Sequence, residues 1–217
     1  MRIRAVILDL DGTLVDTLGG ITAALAEALA DCGLRPVPAE RVREIVGDGP
    51  RSLCLRAMGG NADDEAVERV LRRFRERYAA SPLRGSSPYP GVPAVLDRLA
   101  PRPLGLCTNK GRRVAELVAD AFGIAERVSA MLAEDDLPAR KPDPRPILHL
   151  AASLGAAPAA TLVVGDGPQD ILAARNAGAL SCAVLQGYGD HAALAAAGPT
   201  WTIPAIADLP DLVERIG

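Results

Sequence analysis

The sequence predicts an α/β protein built on a doubly wound parallel sheet, with an α-helical unit inserted after its first strand. Three observations predict it. Short apolar runs recur at 3–9, 104–108, 128–132, 161–165 and 181–185, and the segments between them carry helical periodicity. Alternation of this kind builds a parallel sheet covered by helices on both faces. Several of the runs stop at chemistry-bearing residues, and in doubly wound sheets ligands lie beyond the carboxyl ends of the strands. Finally, residues 14–90 are too many for a single crossover helix, so this interval must hold something extra.

Ile3 to Leu8 reads as a buried strand. It delivers Asp9 and Asp11, two carboxylates two residues apart, to the lip of the sheet, where Gly12 permits a tight turn and Thr13 supports it. A D-x-D-G-T pentad in that position asks for more than a helix cap. In the interval that follows, Ile21, Leu25 and Leu29 mark a helix ending near Gly33, and Val42, Ile45 and Val46 a short second one. Leu53, Leu55 and Met58 suggest a third, and Val67, Val70, Leu71, Phe74 and Tyr78 a fourth. The stretch from Pro82 to Pro93, rich in Pro, Ser and Gly, reads as the return linker. The boundaries expected are 1–15 and 88–217 for the sheet-bearing core and 16–87 for the helical insertion.

The second strand runs into Thr108-Asn109-Lys110, and a later one into Gly165-Asp166-Gly167-Pro168-Gln169-Asp170. Between them, Arg140-Lys141-Pro142-Asp143-Pro144 leads into a helix start whose prolines fix the local backbone. Residues 109–140 are nearly filled by one helix and one strand, which leaves no room for a second insertion.

Acid pair, hydroxyl, lysine, acid pair, in that order and over nearly the whole chain, resembles the haloacid dehalogenase superfamily of phosphohydrolases. Within it the phosphoglycolate phosphatase-like members are the most similar, through Asp9-Leu-Asp-Gly-Thr-Leu-Val-Asp16, Thr108-Asn-Lys110, Gly47 to Arg51 and Tyr89-Pro-Gly-Val92. The resemblance implies a Rossmann-like core with the 16–87 insertion as an α-helical cap, and a magnesium-dependent phosphatase acting on a small phosphorylated metabolite, 2-phosphoglycolate first among them, through an aspartyl-phosphate. It implies Mg2+ held by the Asp9 carboxylate, the Asp11 backbone carbonyl and Asp166, with Asp170 orienting that shell. Asp9 is then the nucleophile and Asp11 the acid and base, while Thr108 and the Asn109 amide donate to phosphoryl oxygens and Lys141 neutralises charge. Gly12 belongs to the same phosphate-binding turn. Lys110 either approaches a substrate carboxylate or is simply solvated. Gly47, Asp48, Gly49 and Arg51 resemble a specificity loop that presents amides and a guanidinium to a small anionic leaving group; an interhelical turn is the other reading. One departure stands out: Gly167 replaces the Ser or Thr common in similar proteins, removing a hydroxyl near the metal.

Residue content narrows the chemistry further. Asp11 argues against haloacid dehalogenation, which lacks the second acid. Residues 14–90 contain no lysine, which removes a Schiff-base mechanism. A β-phosphoglucomutase-like sugar phosphomutase and a pyrophosphatase remain compatible. From another class come a phospho-accepting signalling module and a metabolite-binding protein without turnover. The former has a different motif order, and retention of both Asp9 and Asp11 weighs against the latter.

At 217 residues and 49% hydrophobic content the chain can bury a core unaided, and no window approaches a membrane span. The N-terminus enters a strand directly, which predicts cytoplasmic location. A net charge of −3 gives no general attraction to nucleic acid or to an anionic membrane. The expected partner is a small phosphorylated metabolite, with the chain a monomer or homodimer. Cys32, Cys54, Cys107 and Cys182 lack metal-type spacing and read as reduced thiols, with the Cys107 side chain turned away from Thr108. The arginines of 69–77 alternate with glutamates and read as a solvated helix face, His149 and His191 as structural, and Trp201 as a core residue.

Overall fold

The computed structural model describes residues 3–216. Strands β1 (Ala5–Leu8), β4 (Leu104–Cys107), β5 (Ala130–Leu132), β6 (Thr161–Gly165), β7 (Leu180–Val184) and β8 (Trp201–Ile203) form one sheet in the order β5-β4-β1-β6-β7-β8. Every neighbouring pair is parallel. β1 is central because it is apolar on both faces and wholly buried. Val6 and Leu8 pack with α5 (Val92–Leu99), α6 (Arg112–Ala121) and α10 (Leu209–Ile216). Ala5 and Ile7 pack on the other side with α7 (Arg145–Ser153) and α8 (Pro168–Asn176). Successive residues of one strand therefore serve two helical layers.

The strand order turns around at β1, flanked by β4 and β6. Leu8 is in register with both Leu106 and Val164, so the residues after β1, β4 and β6 emerge side by side at one edge. That is the crevice in which a doubly wound sheet holds its ligand.

Between β1 and β4 stand α1 (Leu18–Asp31), α2 (Ala39–Ile45), α3 (Pro50–Ala57) and α4 (Asp64–Ala80), close to the four helices the periodicity predicts. They bury a core of their own, in which Ile21, Leu25 and Leu29 of α1 meet Val67, Val70, Leu71 and Phe74 of α4. α4 starts where it does because the Asp63 side chain accepts from the Ala66 amide at 2.8 Å, with Asp64 and Glu65 in its first turn. Its outer arginines are exposed and pair with nearby glutamates, Arg69 with Glu65 and Arg73 with Glu76. The two linkers form a small antiparallel ribbon of β2 (Val15–Asp16) and β3 (Ser87–Pro88), with Asp16 opposite Ser87.

Two sequence expectations need correction. β8 does not announce itself, because an edge strand of three residues with one exposed position carries no apolar run. Trp201 accordingly sits half-buried at that edge, packed against the main core rather than inside it. Among the described residues, no helix is long and apolar enough to cross a membrane.

Candidate active site

Asp9, Thr108 and Asp166 each follow a strand by one residue and are buried. Lys141 reaches them from the loop between β5 and α7, where its peptide bond to Pro142 is cis. Its ammonium donates to the Cys107 carbonyl at 2.6 Å and lies 2.8 Å from Asp9 Oδ1 and 2.6 Å from Asp170 Oδ1. The four acidic and basic side chains named in the sequence for the metal and the phosphate thus converge.

Carboxylate oxygens of Asp9, Asp166 and Asp170 lie within 4.8 Å of one another, all buried. Three carboxylates against one lysine leave the cluster short of positive charge. Burial pushes the Asp9 carboxyl up to about 8, with Lys141 offsetting only part of the effect, and burial together with Asp170 pushes Asp166 up to about 7. Lys141 goes the other way: burial opposes its charge, but Asp170 and Asp9 outweigh it and raise the lysine above its ordinary range. Asp9 Oδ1 and Asp170 Oδ1 face the ammonium as ion pairs but make no aligned hydrogen bond, so buried oxygen lone pairs remain. An all-oxygen, electron-rich donor set of this kind fits a hard divalent cation such as Mg2+.

Asp166 is fixed from both sides, its Oδ1 accepting from Thr13 Oγ1 at 2.9 Å and its Oδ2 from the Tyr188 amide at 2.8 Å. Gly12, at φ +79°, is required here on two counts: the left-handed turn, and a Cβ that would stand 2.2 Å from Asp166 Oδ2. At Gly167 a Cβ would stand 2.0 Å from Gln169 Nε2, so a larger residue there requires the Gln169 side chain to move, while Gly167 N–H donates to Asp170 Oδ2 at 3.1 Å.

Thr108 Oγ1 accepts from the Lys110 amide at 3.2 Å, which leaves its own proton to donate into the cavity it lines. Asp11 also lines the cavity and is held by Lys110 Nζ at 2.7 and 2.9 Å and by Thr17 Oγ1 at 2.6 Å. Lys110 is therefore not a solvated lysine. It is 6% exposed, its ammonium lies 4.5 Å from the centre of the Tyr78 ring, and although burial works against its charge, Asp11 raises it above the ordinary lysine range.

The side-chain amide of Asn109, expected to donate to phosphate, is engaged instead. It donates to the Gly47 carbonyl at 3.0 Å and the Lys141 carbonyl at 3.1 Å, while Oδ1 accepts from Lys141 N–H at 3.1 Å. Asn109 thus braces the lysine loop and reaches across to the helical unit. Gly47, Asp48 and Gly49 do line the cavity. Arg51 does not: from the first turn of α3 it turns outward to Asp64 at 2.5 Å and Glu68 at 3.0 Å, two acids near the start of α4. Asp48 faces Arg56 at 2.5 Å, so its charge is already matched.

The cavity encloses about 970 Å³ between the strand ends and the helical unit. Asp9, Asp11 and Asp166 line it, and Leu53, Phe74 and Val114 give it apolar surface. None of the four cysteines lines this cavity. Burial pushes Cys54, Cys107 and Cys182 each up to about 12, and Cys107 packs among Ile7 and Leu132 on the far side of β4.

Sequence reasoning missed Tyr188, Gln169 and the reach of Thr13. The Gly187-Tyr188-Gly189-Asp190 run after β7 was the available signal, since glycines on either side of an aromatic residue mark close backbone approach.

The family model described as haloacid dehalogenase-like hydrolase matches residues 3–178. The phosphoglycolate phosphatase of Rhodospirillum rubrum is 41% identical over 194 residues, which cover 85% of this chain and 80% of that one. The N-acetylmuramic acid 6-phosphate phosphatase of Pseudomonas aeruginosa is 37% identical over 190 residues, covering 87% and 84%. Among solved structures, a predicted phosphoglycolate phosphatase from Haemophilus somnus superposes with a TM-score of 0.89 at 28% identity, covering 98% of each chain. With the sheet order, the strand-end acids and these matches in agreement, the chain belongs to the haloacid dehalogenase-like hydrolases.

Proposed function

We propose that this chain is a magnesium-dependent phosphatase of a small phosphorylated metabolite, working through an aspartyl-phosphate on Asp9. The observation that carries the reading is the meeting of the Asp9, Asp166 and Asp170 carboxylates within 4.8 Å of one another at the switch point of the sheet, with Lys141 paired to Asp9 and Asp170. Asp9, Asp166 and the Asp11 carbonyl are the ligands we assign to Mg2+, which when bound supplies the positive charge that a phosphoryl group needs before an anion can approach it. Asp9 needs no deprotonating base once its charge is compensated, so its free oxygen can attack phosphorus. Lys141 balances charge beside it, and Thr108 donates its hydroxyl to a phosphoryl oxygen. Asp11 hands a proton to the departing alkoxide and takes one from the water that splits the acyl phosphate. Lys110 and Thr17 keep the Asp11 carboxyl at the cavity wall for both transfers.

For the substrate, 2-phosphoglycolate is the first choice, supported by the 41% identity to the Rhodospirillum rubrum enzyme. A sugar phosphate is the second. The cavity of about 970 Å³ stands at the upper end for small-molecule sites, and a sugar-phosphate phosphatase is also among the relatives. We assign residues 16–87 the part of a cap that closes over the strand ends and shields the reaction from bulk water.

The test is Mg2+-dependent hydrolysis of an aryl phosphate, followed by kcat/KM for 2-phosphoglycolate, hexose phosphates and pyrophosphate. Asp9→Asn is expected to lose at least about a thousandfold in kcat while keeping the native circular dichroism, as removal of a catalytic nucleophile does. A variant with near-normal turnover would remove Asp9 from its assigned role. Stable phosphorylation without turnover in the unmodified chain would favour a signalling module instead.

A further inference from the structure

Tyr188, in the loop between β7 and α9 (His191–Ala197), touches three parts of the molecule at once. Its amide donates to Asp166 Oδ2 at 2.8 Å. Its phenol oxygen accepts from the Thr17 amide at 2.6 Å and the Leu18 amide at 3.1 Å, and donates to Asp16 Oδ1 at 2.8 Å. Arg43 of α2 donates to the neighbouring Gly187 carbonyl at 2.5 Å and holds its guanidinium 5.7 Å from the centre of the Tyr188 ring. The contacts with Asp16, Thr17, Leu18 and Arg43 each span more than 140 residues of sequence.

The phenol does a job that is ordinarily local. The first amides of a helix need acceptors, and a side chain just before the helix normally provides one. Thr17 occupies that place at α1 but makes no such bond, because its hydroxyl is turned to Asp11 Oδ1. The Leu18 amide at the helix start is shared between Asp16 Oδ1 at 3.2 Å and the phenol of a tyrosine 170 residues away, and the Thr17 amide goes to that phenol. The loop can reach Asp166 only because of its glycine: a Cβ on Gly187 would stand 2.3 Å from the Asp166 side chain. The beginning of the helical unit is therefore tied to Asp11 through Thr17 and to Asp166 through Tyr188.

We propose that Tyr188 is a positioning residue for the hydrolytic site, joining the Asp166 carboxylate to the start of α1 so that cation binding and seating of the helical unit favour one another. The assignment of Asp166 to Mg2+ is taken from the phosphatase reading. If the two events are linked, each must strengthen the other by the same factor.

Tyr188→Phe keeps the ring, the Arg43 contact and the amide to Asp166, and removes only the hydroxyl. Amide hydrogen exchange on the full chain, with and without Mg2+ alone, reads the link directly, and aryl phosphate turnover is measured beside it. The expected result is exchange at Thr17 at least about tenfold faster in Tyr188→Phe with β6 unchanged, since that amide loses its acceptor, and a smaller change at Leu18, which keeps Asp16 Oδ1. Mg2+ should slow the same two amides several-fold in the unmodified chain and leave them unaffected in the variant, whose half-saturating Mg2+ concentration for turnover rises several-fold. Unchanged exchange at Thr17 in the variant would overturn the proposal, and so would an equal response, or none, to Mg2+ in both proteins. Failure of the unmodified chain to hydrolyse any phosphate ester would count against the phosphatase reading alone, because the exchange comparison decides on Tyr188 without turnover.

Discussion

At the scale of single residues, the site is governed by an imbalance of charge. Asp9 and Asp166 ionise near 3.8 in an unfolded chain but near about 8 and about 7 when buried together. Across that window the folded, metal-free chain holds protons that the unfolded chain has released, so its stability falls as pH rises from about 4 towards 8. Thermal denaturation in EDTA is expected to show this fall, with Asp9→Asn showing a smaller one. The same imbalance predicts a larger rise in Tm on adding Mg2+ at pH 8 than at pH 5, since at the lower pH the cation must displace protons from its ligands. A Tm increment independent of pH would mean that these carboxylates do not hold the ion. Lys141→Ala removes the ammonium paired with Asp9 and Asp170 and leaves those two buried acids without a cation. A loss of about 3–5 kcal/mol in urea titration without metal is expected, the cost of breaking a buried ion pair from one side.

At the scale of elements, the strands that position the site could be read from the sequence because strands buried on both faces are continuous apolar runs. β1, β4, β6 and β7 all have that character. The acids at their ends were legible for the same reason, being the first polar residues after such a run. β2 and β3, two residues each, and the half-exposed β8 are too short to carry a period. What lay beyond the sequence were partnerships set by the closing of the chain. Nothing local says that Lys110 will find Asp11, that Asn109 will be taken up by Gly47 and Lys141, or that Arg51 will turn to the acids at the start of α4. The helices themselves obey local rules. Asp63→Ala is expected to cost about 1 kcal/mol through loss of the α4 cap, and Phe74→Ala about 3–5 kcal/mol through the cavity it leaves among Leu71 and Tyr78. Equal losses from the two substitutions would contradict the cap and core assignments.

At the scale of the whole molecule, two apolar cores share one cavity. The helical unit has its own buried cluster, and the sheet has another against which the single tryptophan, Trp201, packs. Leu25→Ala, deep in the helical cluster, is therefore expected to shift the urea midpoint followed by helical circular dichroism to lower concentration than the midpoint followed by Trp201 fluorescence. Coincident midpoints would show that the two units unfold as one. The ribbon that joins them has a practical consequence. Asp16 and Ser87 are directly opposed partners, so the chain leaves the sheet-bearing part and comes back to it at a single point. A foreign helical module whose ends lie one strand spacing apart could be spliced in at that point with every sheet strand left in register. Exchange of substrate preference by transplantation thus becomes an engineering operation on two neighbouring peptide bonds, provided the graft supplies new partners for Asn109 and Tyr188.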